Sequence, residues 1–226
     1  TPLGKNATLR QAFELAIDRN VINRVAFNGE FLADNQMIPP SSPFYDHAHK
    51  IPARDVAKAK AMIAAAGMTR VPIELQYENT AGDNRVAQIM QSMAGEAGFD
   101  VKLLPMEPTA AIERYMNGNF EAYVGNWSGR ADPDGNMYAH LITGGTNNWG
   151  KYSNPRLDEL LRGARSASQQ SERKHLYGEA LRIIIDEVPE VRLRNESLGR
   201  ELGVHLTQLW RVMFASLLLL CGPVSA

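Results

Sequence analysis

The stretch VPIELQYENTAGDNRVAQIMQSMAGEAGFDVKLLPMEPTAAIERYMNGNFEAYVGN, residues 71–126, changes its hydrophobic period repeatedly, and those changes decide the fold. Residues 71–77 alternate Val71, Ile73, Leu75 and Tyr77 with more polar neighbours, the period of a strand with one buried face. Residues 84–97 instead place Val86, Ile89, Met90, Met93 and Ala97 on one helical face, with Gly98 as the stop. The methionines are read as core packing rather than as part of a cofactor site. Phe99, Val101 and Leu103 alternate as a second strand, residues 109–117 make a short helix, and residues 120–126 make a third strand. A strand-helix-strand-helix-strand order calls for right-handed crossovers, hence an α/β unit with a parallel sheet and helices on its faces. Ligands of such open sheets sit beyond the carboxyl ends of the strands, so residues 77–79, 105–106 and 126–134 are the ones to watch.

Upstream, Leu9, Ala12, Phe13, Ala16 and Ile17 recur at helical spacing, and Val21, Ile22 and Val25 follow the polar triplet Asp18-Arg19-Asn20. This predicts one helix stepping into a second, stopped at Asn28-Gly29. Residues 31–52 carry Pro39, Pro40, Pro43 and Pro52 and read as an extended surface loop. Asp46, His47 and His49 have the chemistry of metal ligands, but no second ligand cluster lies at suitable spacing, and they are read as solvated loop side chains. Asp55 caps a helix over 56–66 that Gly67 ends. Downstream, Asn154 and Pro155 open a helix to about residue 167 with Leu157, Leu160, Leu161 and Ala164 on one face. A further helix from about residue 171 carries Leu176, Tyr177, Ala180, Ile183, Ile184 and Ile185 and ends before Pro189.

With 226 residues the chain has room for one or two domains, and its 44% hydrophobic content is that of a globular protein. Net charge is -1 with both signs interspersed, so no basic footprint for nucleic acid or an anionic membrane exists. Cys221 is the one cysteine and forms no internal disulfide. Residues 1–6 are polar and read as no signal peptide. Residues 209–221 are nearly all apolar, broken by Arg211 and Ser216, but shorter than the ~20 residues of a membrane span. They are expected as a buried strand or helix, or as a non-native tail.

The segment 125–155, GNWSGRADPDGNMYAHLITGGTNNWGKYSNP, crowds Trp, Tyr, Arg, Asp and Gly into a run expected to be mostly irregular. Aromatic rings give rigid contact area, glycines let a backbone approach closely, and Arg or Asp orients a charged ligand. Catalytic alternatives fare worse on spacing. Gly125-Asn126-Trp127-Ser128-Gly129 follows a strand as a nucleophile elbow would, but G-x-S-x-G needs the serine one place earlier. Asp132 and Asp134 have the chemistry of an acid-base pair, although Pro133 between them marks a rigid turn, with Asp132 or Asp134 capping the following helix. Counted as a calcium loop from Asp132, the sixth place is Met137 and the twelfth Thr143, where Gly and Glu are required. Gly144-Gly145 lacks the continuation that cradles phosphate.

Five stretches resemble, in order, the family 5 extracellular solute-binding proteins of ABC importers, which bind peptides, opines and nickel. They are LRQAFELAIDRNVI (9–22), RDVAKAKAMIAAAG (54–67), WSGRADPDGN (127–136), YSNPRLDELLRGAR (152–165) and ERKHLYGEALRIIIDEVPEV (172–191). The resemblance implies a periplasmic-binding-protein-like (type II) lobe with a mostly parallel sheet flanked by helices. It assigns residues 1–191 to the second, carboxyl-terminal lobe of a two-lobed clamp, leaves the first lobe outside the chain, and makes 192–226 an atypical tail, non-native or frameshifted. It also implies a non-enzymatic protein without cofactor, periplasmic or lipid-anchored and monomeric, that captures a small peptide or peptide-like solute and delivers it to permease subunits. Trp127 would pack on the ligand and Ser128, Gly129 and Arg130 would line it, with Asn126, Asp132, Tyr77 and Asn79 completing the expected site. Dipeptide-binding relatives carry an Asp three places after that Trp. Arg130 stands there in this chain, which favours a ligand carboxylate, because a guanidinium pairs with one bidentately. The alternatives are a hydrolase using Ser128 or Asp132 and Asp134, and a degenerate remnant that binds nothing.

Overall fold

The computed structural model describes residues 1–127, 129–196 and 216–221. Helices α1 (Pro2–Lys5), α2 (Ala7–Ala16) and α3 (Arg19–Phe27) open the chain, followed by the short strand β1 (Phe31–Ala33) and α4 (Val56–Ala65). The central unit is β2 (Val71–Glu78), α5 (Ala81–Ala97), β3 (Phe99–Met106), α6 (Pro108–Met116) and β4 (Ala122–Trp127). Then come α7 (Asp134–Leu141), α8 (Pro155–Ser166), α9 (Gln170–Glu187), β5 (Glu190–Arg192), β6 (Arg194–Glu196) and β7 (Ser216–Cys221).

Local chemistry sets the boundaries. Between α2 and α3 the chain turns extended at Ile17, and the Asp18 carboxylate accepts from the Val21 amide at 3.0 Å, restarting the helix. Thr80 caps α5 through the Asp83 amide at 3.1 Å, and Gly98 ends it at φ 105°, a left-handed conformation that glycine adopts without strain. Asn154 caps α8 by accepting from Leu157, with Pro155 in the first turn as expected.

The main sheet has the order β3-β2-β4-β7-β5. Strand β2 pairs parallel with β3 and with β4, while β7 pairs antiparallel with both β4 and β5. Four strands therefore run one way and β7 alone is reversed. The apolar tail supplies that strand over Ser216–Cys221, and the rest of residues 209–221 lies outside the described residues. Moving from β2 outward to β3 and back across to β4 reverses the direction of winding, so the carboxyl ends of β2 and β4 flank a topological switch point.

One sheet face packs on α2, α4 and α5. There Val71, Ile73, Leu75, Tyr77, Ala122 and Val124 share a core with Phe13, Ile63, Val86, Met90 and Phe99. Phe13 meets Phe99 edge-on at 5.1 Å. The other face carries α6 and an aromatic core of Tyr115, Phe120 and Tyr123. A further core joins α7, α8 and α9 through Leu141, Leu157, Leu161, Tyr177 and Ile184 to Met37, Ile38 and Phe44 of the proline-rich segment. Arg10 ties the two ends of this body: its guanidinium donates to the carbonyls of Leu3 and Gly4 and of Glu187 and Val188, at 2.8–3.1 Å.

One expectation about the fold needs correction. Residues 31–33 are not loop but a strand, β1, paired antiparallel with β6 more than 150 residues later, with the Arg194 guanidinium packed on the rings of Phe27 and Phe31 at 4.1 and 3.6 Å. Within the segment 125–155, α7 occupies the middle and the greater part lies outside helix and strand, as expected.

Candidate functional site

Strand alternation decides what β4 presents. Ala122 and Val124 turn into the core under α5, so Tyr123, Gly125 and Trp127 share the face that carries α6. A Cβ on Gly125 would lie 2.7 Å from Tyr123 Cε1, so the absence of a side chain lets the Tyr123 ring lie along the strand towards its carboxyl end. Tyr123 stacks on Tyr115 at 4.4 Å, and its hydroxyl donates to the Glu78 carboxylate at 3.2 Å.

Trp127 ends the strand half-buried. Its ring packs edge-on against His140 at 4.4 Å, and His140 Nδ1 lies 4.0 Å from Glu190 Oε1 in the buried space behind. Its indole N–H donates to Asn136 Oδ1 at 3.2 Å. Asn136 is 0% exposed and also accepts from the Arg130 amide and donates to the Arg130 carbonyl, both at 2.7 Å. One amide side chain on α7 thus fixes the tryptophan and the backbone of Arg130 together. The Arg130 guanidinium lies 5.3 Å from the centre of the Trp127 ring, and its methylenes press against Gly135, where a Cβ would come within 2.8 Å. Arg130 itself is exposed, so a charged group stands beside an aromatic face at the carboxyl rim of the sheet.

The other expected site residues divide. Asn79 is exposed just past β2, its amide bonded to the Met106 carbonyl at 2.7 Å and its side chain to Asn84 at 2.8 Å. Gly129 is exposed beside Arg130, and Asn126 is exposed at the strand end with the parity of Val124, on the face opposite Trp127. Ser128 lies outside the described residues. Tyr77 is a core residue rather than a rim residue: it is 2% exposed, shares the parity of Val71, Ile73 and Leu75, and its hydroxyl donates to Asn84 Oδ1 at 3.2 Å.

Asp132 is likewise committed elsewhere. Both its oxygens take hydrogen bonds from Arg173 Nη2 at 3.0 and 3.1 Å, and Oδ1 accepts the Asp134 amide at 2.9 Å, closing a turn at the start of α7. Burial raises its pKa, but the hydrogen bonds from Arg173 and the Asp134 amide and the Arg173 charge outweigh that, and it lies below the ordinary value. Asp134 pairs with Arg165 at 3.0 Å, and Arg165 stacks over Tyr138 at 3.8 Å. Asp132, Asp134, Arg165 and Arg173 line an open cleft of about 440 Å³ that does not include Trp127. As an acid-base pair the two aspartates are poorly suited, since each carboxylate is engaged by an arginine, Asp132 by Arg173 and Asp134 by Arg165. Among the described residues no group of three or more His, Cys, Asp and Glu is placed to hold a metal ion. His49 bonds Asn35 at 3.0 Å, and His47 packs edge-on against Tyr45.

Two residues at this rim escaped sequence reasoning. Asn136 was visible only as the last letter of WSGRADPDGN, with nothing to distinguish it from a loop polar residue. Glu78 was flagged only by its place at the end of a strand.

A doubly wound sheet with an aromatic-and-charge constellation at its switch point is the architecture of a ligand-binding lobe. Residues 1–149 match the family described as bacterial extracellular solute-binding proteins, family 5 Middle, and the chain belongs to that family. It is 27% identical over 193 residues to di/tripeptide-binding protein 1 of Pseudomonas aeruginosa, covering 80% of this chain and 35% of that protein. The chain thus spans about a third of the length of the curated relatives it matches. Among solved structures it resembles the periplasmic binding protein DppA of Helicobacter pylori in complex with the peptide STSA, at 25% identity and a TM-score of 0.78, over 95% of this chain and 40% of that one. It also resembles AgaA of A. tumefaciens R10 in complex with agropinic acid, at 26% identity and a TM-score of 0.75, over 83% of this chain and 40% of the other. No helix among the described residues is long and apolar enough to cross a membrane.

Proposed function

We propose that this chain is one lobe of the substrate-binding component of an ABC importer, without catalytic activity, acting in the periplasm or at the outer face of a membrane. Residues 1–191 form the second, carboxyl-terminal lobe, the first lobe closes over the switch point, and a small peptide or peptide-like solute is held between them and handed to permease subunits. The observation that carries the reading is the Asn136 bracket, which holds Trp127 and Arg130 side by side at the carboxyl rim. A buried amide spent on ordering an otherwise exposed Trp-Arg pair fits a site kept ready for a ligand, since ordering before binding lowers the entropy lost on capture. The solute carries a carboxylate: Arg130 occupies the place where dipeptide-binding relatives have an Asp, and its guanidinium offers a planar fork to two oxygens. Relatives that are di- and tripeptide-binding proteins, and a structural neighbour bound to agropinic acid, support a peptide-like or carboxylate-bearing ligand. Calorimetry of the chain with N-acetyl-Ala-Ala tests this. Arg130→Met is expected to weaken binding at least tenfold and Trp127→Ala by a similar factor. Equal affinity in both variants and the parent chain would remove the two residues from the site.

A further inference from the structure

Strand β4 reaches further than the ladder that joins it to β2. That ladder holds Ala122, Tyr123 and Val124, opposite Leu75, Gln76 and Tyr77, and stops there. Gly125, Asn126 and Trp127, the part of β4 that leads into the site, have their strand partners, among the described residues, in β7 alone: Leu218, Leu217 and Ser216. Gly125 is buried, where an unpaired backbone N–H or carbonyl is costly, and a strand alongside meets that need.

Strand β5 depends on the same segment. It pairs with β7 and, among the described residues, with no other strand. Leu220 stands opposite Tyr123 on one side and Glu190 on the other, so β7 sets Tyr123 and Glu190 level across two strand spacings, about 9–10 Å. Residues level across a sheet point to one face, which puts Glu190 on the face of Tyr123 and Trp127. His140 of α7 fills the space between, its ring 4.4 Å from that of Trp127 and its Nδ1 4.0 Å from Glu190 Oε1. The two ends of this Trp127–His140–Glu190 stack thus belong to different strands that β7 joins. Composition suits the place: a strand flanked on both sides, in a sheet with helices on both faces, reads as a continuous apolar run, and SLLLLC (216–221) is one. The family match covers residues 1–149, so this strand lies outside it.

We infer that residues 216–221 are a positioning segment for the ligand site: the strand fixes the Trp127 end of β4 and the Glu190 end of β5 in one register, and so holds the Trp127 ring against His140 at the rim. This rests on the proposed ligand role of Trp127 and extends the support of that residue to the apolar tail. The strand acts through Trp127, by ordering it before the solute arrives.

Successive N–H groups of a strand point to opposite sides, so of Ser216 and Leu217, opposite Trp127 and Asn126, one donates towards β4 and the other away from it. Proline removes a strand N–H. Ser216→Pro and Leu217→Pro are therefore a matched pair: one cuts a bond to the Trp127 end, and the other points where β5 offers no partner, its ladder ending at Leu218. In the full chain, exchange of the Trp127 indole proton with deuterated solvent and the dissociation constant for N-acetyl-Ala-Ala are read by NMR. One variant is expected to speed indole exchange and weaken binding about tenfold, while the other matches the parent in both. Ala122→Cys checks the register independently. Ala122 stands opposite Cys221, and such pairs lie about 4.5–5.5 Å apart at Cα, within disulfide reach. The oxidised variant is expected to form that intramolecular disulfide and to keep the parent's exchange rate and affinity. Equal behaviour of the two proline variants, whether both silent or both disabling, overturns the inference, as does an oxidised Ala122→Cys chain that keeps its thiols free. The exchange readout needs no ligand: if the parent fails to bind N-acetyl-Ala-Ala, the carboxylate reading falls, and the indole rates of the two variants still decide whether β7 positions Trp127.

Discussion

Replacing Asn136 by Leu tests whether the bracket beneath the site does what its geometry says. The two side chains share the same branched heavy-atom skeleton, Leu being the bulkier, so the substitution removes polar partners without opening a cavity. Three hydrogen bonds disappear: one from the Trp127 indole and two with the Arg130 backbone. An average bond contributes about 1 kcal/mol net, and a buried group left unsatisfied costs about 1–3 kcal/mol. Arg130 is exposed and its backbone groups can turn to water, which sets their loss at the low end of that range. The indole N–H, held against a buried acceptor, is harder to resatisfy. The expected loss is therefore roughly 2–3 kcal/mol of unfolding free energy. Urea denaturation gives that number, and the exchange rate of the Trp127 indole proton with deuterated solvent reports the same loss locally, rising as the ring leaves its place. A change below about 0.5 kcal/mol, the range of ordinary surface substitutions, with unaltered exchange, would refute the bracket as an organiser of the site.

Other expectations follow from the same coordinates. Arg10→Met leaves four buried or half-buried carbonyls without their charged donor and should destabilise the fold by about 3–5 kcal/mol in urea denaturation; an effect under 1 kcal/mol would mean the clamp on Leu3, Gly4, Glu187 and Val188 is replaceable. Asp132 has its folded pKa lowered below 3.8, so the stability it contributes is present above its unfolded value and is lost as pH falls through the folded one. Asp132→Asn should accordingly flatten the decline in melting temperature below about pH 4, and an identical acid limb in both proteins would count against the Arg173 pair. Gly125→Ala puts a Cβ 2.7 Å from the Tyr123 ring and should displace it from Glu78, weakening Tyr115–Tyr123 stacking, which near-ultraviolet circular dichroism would register as a change in the tyrosine band; an unchanged spectrum would contradict that packing.

The central α/β unit was legible because its signals are local. Alternation in β2 and β3, the apolar face of α5 and the Thr80–Gly98 frame around it all lie within a few residues of what they specify. Strand β1 was not legible, because three residues acquire strand character only from pairing with β6 far along the chain. Helix α7 was signalled only by Asp132 and Asp134 as candidate caps, since Pro133 at its N-cap and Gly135 in its first turn mask the helical period. At the site, Trp127 and Arg130 stood out by residue type and by their place after a strand. Tyr77 was misread as a rim residue although its own alternation with Val71, Ile73 and Leu75 assigns it to the core. Asn136 could not be found, since an Asn bridging a strand end and a loop leaves no periodic trace, and Glu78 was marked only by its place within 77–79, not by the tyrosine it meets 45 residues away.

The account turns on a ligand site at the carboxyl rim of the sheet. Titrating the isotopically labelled chain with N-acetyl-Ala-Ala and following its NMR spectrum tests that directly. Saturable shifts of the Trp127 indole and Arg130 amide signals, with those of Val71 and Gly98 at the opposite rim unmoved, are the predicted result. Saturable shifts confined to the opposite rim, or no saturable shift at Trp127 and Arg130, would contradict it.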